Sequence, residues 1–293
     1  MTTAQFFQIT HHTQKVDDVE VFYRAAGSTE KPIVLLLHGY PSSSHQYRNL
    51  IPALAQEYRV IAPDLPGFGS TVAPPRGEYD YTFDNLAATI DGFTEALGLE
   101  RFALYVFDYG APVGFRLATA HPERITAIVT QNGNAYQEGI TEAWGPIQAY
   151  WADDSQESRD ALRGLLTRET TEWQYFEGAP DALKNRISPD AIHHDQAILD
   201  RDAEVQLDLF LSYRTNVEAY PRWQEYLRTS KPPVLAVWGK NDPFFGPAGA
   251  RAFQRDVPEA EVELLDAGHF ALETHGEVVA ERVLGFLRKA AIA

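Results

Sequence analysis

Five short stretches of this chain are largely apolar, and most are followed by a helical pattern. The stretches are 32–37, 59–62, 102–107, 125–130 and 233–238, and a further strand, with two glutamates, is expected at 261–265. A strand without polar alternation is buried on both faces, so strands of this kind separated by amphipathic helices imply a parallel sheet with helices on each side. Helical patterns at 44–56, with Tyr47, Leu50, Ile51 and Leu54 on one face, and at 83–97, with Thr82 as cap, fit that plan. Further helices are expected from the elbow at 108 to about 120, at 248–255 and at 277–289. Residues 5–10 and 19–25 read as an opening strand pair. Near residue 134 the rhythm stops. From 134 to 229 the chain reads as helical, with Trp144, Trp151, Trp173 and Trp223, and the rhythm resumes at 233. The expected organisation is a core domain of 1–133 and 230–293, with 134–229 inserted as a helical cap over the sheet edge.

Composition narrows the functional classes. The 293 residues suit one large α/β domain or a domain with an insertion. A formal charge of −16 disfavours nucleic acid and anionic membranes as partners, since both would repel the chain at long range. With no cysteine, disulfides, thiol catalysis and thiolate metal sites are excluded together. The start of the chain has neither a basic stretch nor a long apolar run, so no signal peptide or membrane span is visible and a cytoplasmic protein is expected. No cofactor is called for. His193-His194-Asp195 lacks a further ligand at suitable spacing, so no metal site is expected.

The strand at 102–107 runs into Asp108, and small residues and a helical pattern follow at once. That is the form of a nucleophile elbow, a sharp strand-to-helix turn that presents one side chain at the sheet edge. Asp242 follows the strand 233–238 within Trp-Gly-Lys-Asn-Asp-Pro, and His269 follows the last strand within Asp-Ala-Gly-His-Phe. Nucleophile, acid and histidine in that order, each after a strand, form a catalytic constellation. His38-Gly39-Tyr40-Pro41 follows the strand 32–37. It is placed to supply one backbone N–H, from Tyr40, to an oxyanion hole, with Tyr109 supplying the other. His38 is expected to fix the loop by hydrogen bonds. Asp64-Leu65-Pro66-Gly67-Phe68-Gly69 reads as a tight turn on the same edge and not as a phosphate loop.

A carboxylate in the nucleophile position selects the reaction. Serine needs a base before it attacks, whereas an aspartate with an ordinary pKa near ~4 is ionised at neutral pH. His269 is then free to activate water in a second step, oriented by Asp242. Attack by Asp108 on saturated carbon gives an alkyl ester that is stable until water is directed onto it. The leaving group is then an epoxide oxygen or a halide.

His38-Gly39-Tyr40-Pro41, Arg48-Asn49-Leu50-Ile51-Pro52, the 62–69 segment and the Asp108 elbow resemble the epoxide hydrolase and haloalkane dehalogenase branch of the α/β-hydrolases. The resemblance implies a mostly parallel eight-stranded sheet flanked by helices and carrying a helical cap. Dehalogenases of the branch have tryptophan after the nucleophile and usually asparagine before the loop proline, both holding halide; this chain has Tyr109 and Tyr40. Fluoroacetate dehalogenases carry arginine after the nucleophile, which is also missing. Epoxide hydrolases use two cap tyrosines as proton donors. Ser212-Tyr213-Arg214 looks like one of them, while the expected place of the other falls near Ile147, with Tyr150 one helical turn on. Tryptophan after the nucleophile and histidine before it, usual in epoxide hydrolases, are Tyr109 and Phe107 here. The expected reaction is hydrolysis of a small apolar epoxide, with Tyr213 and Tyr150 as acids and Trp144 and Trp151 walling the pocket. Three alternatives stand beside it: a dehalogenase using Trp151 and Tyr109 as halide donors, a silent binding protein on the same scaffold, and an ester or lactone hydrolase with Asp108 as base.

Overall fold

The structure is a computed structural model and describes residues 8–290. Its elements run β1 (Thr10–Val16), β2 (Val19–Ala26), β3 (Ile33–Leu37), α1 (Leu50–Leu54), β4 (Arg59–Pro63), α2 (Phe83–Ala96), β5 (Phe102–Phe107), α3 (Gly110–Ala120) and β6 (Ile125–Gln131). Then come α4 (Gly145–Ala152), α5 (Gln156–Ala161), α6 (Arg168–Phe176), α7 (Pro189–Leu199), α8 (Ala203–Ser212) and α9 (Arg214–Ser230). The chain closes with β7 (Val234–Gly239), α10 (Pro247–Asp256), β8 (Glu261–Leu265) and α11 (Ala271–Lys289). The strands form one eight-stranded sheet in the order β1-β2-β4-β3-β5-β6-β7-β8. Pairing is antiparallel at β1–β2 and β2–β4, and parallel from β4 onward.

The continuous apolar strands have a simple cause. Leu35, Leu37, Leu104, Val106 and Ala236 face one buried layer, and Val34, Leu36, Ala103, Tyr105 and Val237 face the other. Helices α2, α3 and α10 pack on the first face, through residues such as Ile90, Val113 and Phe253. Helices α1 and α11 cover the second, through Ile51, Leu54, Val283 and Leu287. Both faces are dry, so alternation would place polar groups in a core. Helices α4–α9 lie between β6 and β7 as an inserted cap, and four of them begin with a side-chain cap from Ser155, Thr167, Ser188 or Asp202. Among the described residues no helix is long and apolar enough to cross a membrane.

Three boundaries differ from the sequence reading. The first strand is Thr10–Val16 and not 5–10, whose residues 5–7 lie outside the described ones. The expected 44–56 helix is a single 3-10 turn at Ser44–Tyr47 followed by the short α1. Pro52 explains the break: it has no N–H to bond the carbonyl four residues back, so it is tolerated only in a first turn. The last helix begins at Ala271 and is kinked at His275, where φ is −125°, so the regular pattern is legible only beyond Gly276.

Candidate active site

Strand β5 ends at Phe107 and α3 begins at Gly110, which leaves Asp108 and Tyr109 to turn the chain. Asp108 takes a left-handed backbone conformation, φ +46°, a strain of order 1–3 kcal/mol for a residue with a side chain. Close packing holds it there. A Cβ on Gly110 would stand 2.0 Å from the Leu37 carbonyl oxygen, and one on Gly39 would stand 2.3 Å from Asp108 Oδ1. The Tyr40 amide donates to Asp108 Oδ1 at 2.6 Å, and the Tyr109 amide also donates to this carboxylate. Burial pushes the Asp108 carboxyl up to about 6, against the pull of the His269 charge and the two amides. Its pKa is therefore higher than the ordinary value expected from sequence, yet the group is mostly ionised at neutral pH.

Asp242 and His269 meet after β7 and β8. His269 Nδ1 and Asp242 Oδ2 are 2.7 Å apart, and both residues are buried. Burial alone would lower the His269 pKa. The charge and hydrogen bond of Asp242, with the charge of Asp108, outweigh that and raise it above the usual histidine range. The other Asp242 oxygen accepts from the Phe244 amide at 2.8 Å.

Asn132, just after β6, went unnoticed in the sequence. It is fully buried, with φ +47°. Its amide donates to Asp242 Oδ2 at 2.8 Å and to the Gly239 carbonyl at 3.1 Å, and its carbonyl accepts from the Gly239 amide at 2.9 Å. Asn132 thus fixes the loop that carries Asp242. The available signal was an asparagine beside Gly133 at the end of an apolar strand, on the edge where ligands bind.

The neighbouring loops are held by side chains. His38 Nε2 accepts from the Leu65 amide at 2.9 Å, so its proton is on Nδ1, which donates to the Gly39 carbonyl at 3.0 Å. Burial lowers its pKa, in keeping with a neutral ring. Asp64 clamps the same region by accepting from the Ser44 and Ser70 amides, each at 2.7 Å. His193, His194 and Asp195 diverge: His193 is exposed, His194 meets Ser43 at 3.0 Å, and Asp195 is buried and accepts from the Tyr175 hydroxyl at 2.6 Å.

A small cavity, about 30 Å³, lies between this edge and the cap. Asp108, His269, Tyr40 and Tyr109 line it from the core side, with Phe244; Trp144, Ile147, Leu165, Gln174 and Phe210 line it from the cap side. A wider surface cleft lies between residues 76–84 and 208–215, but it contains neither Asp108 nor His269. Of the expected cap residues, only Trp144 lines the cavity, and its indole N–H is engaged by the Phe244 carbonyl at 3.0 Å. Trp151 is not in the lining. It stacks on Tyr213 with 6.2 Å between ring centroids and donates to the Phe210 carbonyl at 2.7 Å. Tyr150 is turned into the cap, where its hydroxyl accepts from Arg159 at 2.9 Å, and Ile147 takes the cavity position. Tyr213 lies one ring behind the wall, with its ring centroid 4.4 Å from that of Trp144 and 5.7 Å from that of Tyr109. Its hydroxyl is enclosed, with the Tyr220 hydroxyl as polar neighbour but no well-formed hydrogen bond.

A family model described as alpha/beta hydrolase fold matches residues 32–276. The chain belongs to that family. The hydrolase is 45% identical over 280 residues to an uncharacterized hydrolase of Saccharomyces cerevisiae, covering 94% of this chain and 95% of the relative. It is 29% identical to a haloalkane dehalogenase of Psychrobacter cryohalolentis, over 94% of this chain and 91% of that one. Among solved structures it is similar to an epoxide hydrolase of Vigna radiata, with TM-score 0.75 and 25% identity, covering 96% and 98% of the two chains. The hydrolase is therefore related to both the epoxide hydrolase and the haloalkane dehalogenase branches, and its buried aspartates and histidine are consistent with hydrolysis through a nucleophile.

Proposed function

We propose that this hydrolase opens small epoxides to vicinal diols through a covalent ester on Asp108. The observation that carries the reading is the convergence on one cavity of a strained, ionised Asp108, two amide donors and the His269–Asp242 pair. In the first step an Asp108 oxygen bonds to an epoxide carbon. The ring C–O bond breaks, its electrons stay on the ring oxygen, and that oxygen takes a proton. Tyr213 is the proposed donor, although its hydroxyl lies one ring behind the cavity wall and must turn toward the ring oxygen to act; Tyr150 is set aside because Arg159 holds its hydroxyl. Ester formation removes the negative charge of Asp108. His269 then loses one of the interactions that raise its pKa, so more of it is neutral and able to take a proton from water. Water adds to the Asp108 carbonyl carbon while His269 takes its proton. The Tyr40 and Tyr109 amides hold the oxyanion, the diol oxygen leaves with the proton from His269, and the proton left on the Asp108 carboxyl restores the donor spent in ring opening. We read residues 1–133 and 230–293 as the core domain of this machine and 134–229 as its cap.

Dehalogenation is the second reading, supported by the relative named as a haloalkane dehalogenase. Against it, the Trp144 and Trp151 N–H groups are already bonded to carbonyls, and no tryptophan follows Asp108. A panel of small epoxides and haloalkanes separates the two: diol from epoxides supports the first, and halide release without diol formation reverses the ranking. In either case His269→Gln is expected to trap the ester, seen as a mass increase equal to the substrate for an epoxide and to the substrate less hydrogen halide for a haloalkane. Full steady-state turnover by that variant would sink the two-step scheme.

A further inference from the structure

Gln174 is 2% exposed and lines the cavity together with Asp108 and His269. Among the described residues its side chain meets no hydrogen-bond partner. The helix that carries it is fixed. Trp173 sets its ring edge against Phe244, Tyr175 lies flat on Phe270 at 3.9 Å, and Thr171 donates to Gln196 at 2.8 Å. Gln174 therefore cannot turn to solvent without breaking these contacts. Two other polar side chains of the cavity are committed: the Tyr40 hydroxyl donates to the Leu165 carbonyl at 2.9 Å, and the Trp144 N–H is engaged. The Tyr109 hydroxyl is buried without a partner. Asp108 and His269 belong to the reaction. The remaining walls, Ile147, Leu165, Phe210 and Phe244, are apolar.

A carboxamide carries two donors and an accepting oxygen, and leaving them unmet in an apolar cavity is costly. A pocket walled only for hydrocarbon would carry leucine or methionine at this position. We propose that Gln174 reads a polar substituent of the substrate, so that the preferred substrates are small epoxides bearing a hydroxyl or carbonyl group. This rests on the ester mechanism above and refines the expected apolar substrate. The cavity is small, about 30 Å³, against roughly 300–1,000 Å³ for ligand sites, so its walls must part to admit even a small substrate.

Glycidol and 1,2-epoxybutane differ only by a hydroxyl in place of a methyl, so their kcat/KM ratio isolates the contact. Wild type is expected to favour glycidol by about tenfold or more, because a site built to bond a polar group rejects the analogue lacking it. Gln174→Met should abolish that preference, chiefly by loss on glycidol, with 1,2-epoxybutane held within about twofold. Gln174→Leu serves the same comparison should the methionine variant not fold. A glycidol preference unchanged in the variant overturns the proposal. So does accumulation of the ester at unchanged preference, which would make Gln174 a holder of the attacking water. Running 3-bromopropan-1-ol against 1-bromobutane in parallel keeps the two readings apart. Turnover of the bromides alone refutes epoxide hydrolysis, yet loss of the alcohol preference in Gln174→Met would still support the contact. Turnover of none of the four overturns both.

Discussion

The core edge and the cap face each other across one cavity, but their side chains are positioned by different means. On the core edge, Asp108, Asp242 and His269 each follow a strand whose place in the sheet is fixed by backbone pairing. Their separation in space follows from strand order, and local contacts such as the Gly110 and Gly39 approaches finish the job. In the cap, side chains are aimed by how helices pack on one another. One turn of helix decides between the cavity, filled by Ile147, and the cap interior, where Tyr150 meets Arg159. Backbone-directed sites tolerate little drift in sequence position. Helix-directed sites can exchange residues while the reaction is retained.

Substitutions can break or sharpen this contrast. The largest effect is expected at the core edge: Asp108→Asn should remove detectable turnover while the fold becomes more stable. The buried carboxyl has its pKa raised to about 6. Its ionisation therefore opposes folding by nothing below pH ~4 and by its full amount above pH ~6, roughly 2–3 kcal/mol as an upper bound. Asparagine keeps an acceptor for the Tyr40 amide without the charge. A thermal melt at neutral pH that shows a lower Tm would contradict this account of the site.

For the cap, Tyr213→Phe should slow ester formation by about 100-fold if a proton donor worth roughly 10²–10⁴ is lost. Single-turnover mass spectrometry separates that step from hydrolysis of the ester. The pH profile gives the next effect. Asp108 must be ionised to attack, so kcat/KM for an epoxide should fall below pH about 6, approaching tenfold per unit. A profile flat to pH 5 would mean that the carboxyl is less desolvated than its surroundings imply.

Asn132→Gly, which keeps the positive φ but removes the side chain, is expected to lower kcat by about tenfold, a part of what general-base catalysis supplies. Ester should accumulate in that variant, since Asp242 and His269 act on its hydrolysis. The smallest change is expected for Tyr150→Phe: activity within about twofold, and about 1 kcal/mol of stability lost with the Arg159 hydrogen bond. A large loss of turnover there would erase the contrast between core edge and cap.

The same contrast explains what could be read in advance. The apolar strands, the Asp108 elbow and the order of Asp108, Asp242 and His269 were legible because strand burial and strand-end turns leave short-range patterns. The expected Tyr40 and Tyr109 donors follow from the same logic, as their amides are backbone groups with places set by the turn. Trp144 lines the cavity, while Trp151, Tyr150 and Tyr213 do not, because every cap helix offers several buried directions. Asn132 and Gln174 were not singled out, since an asparagine before glycine follows an ordinary turn pattern and a glutamine in a polar helix that of a surface position.

Sequence alone determined the doubly covered sheet, the inserted helical block and the placing of Asp108, Asp242 and His269 at strand ends, since each is written in local order along the chain. Only the tertiary structure decided which cap side chains face Asp108, that burial raises its pKa, and that the Gln174 amide stands in the cavity wall. Those properties depend on distance between segments far apart in sequence. Cap packing sets that distance, and no local pattern records it.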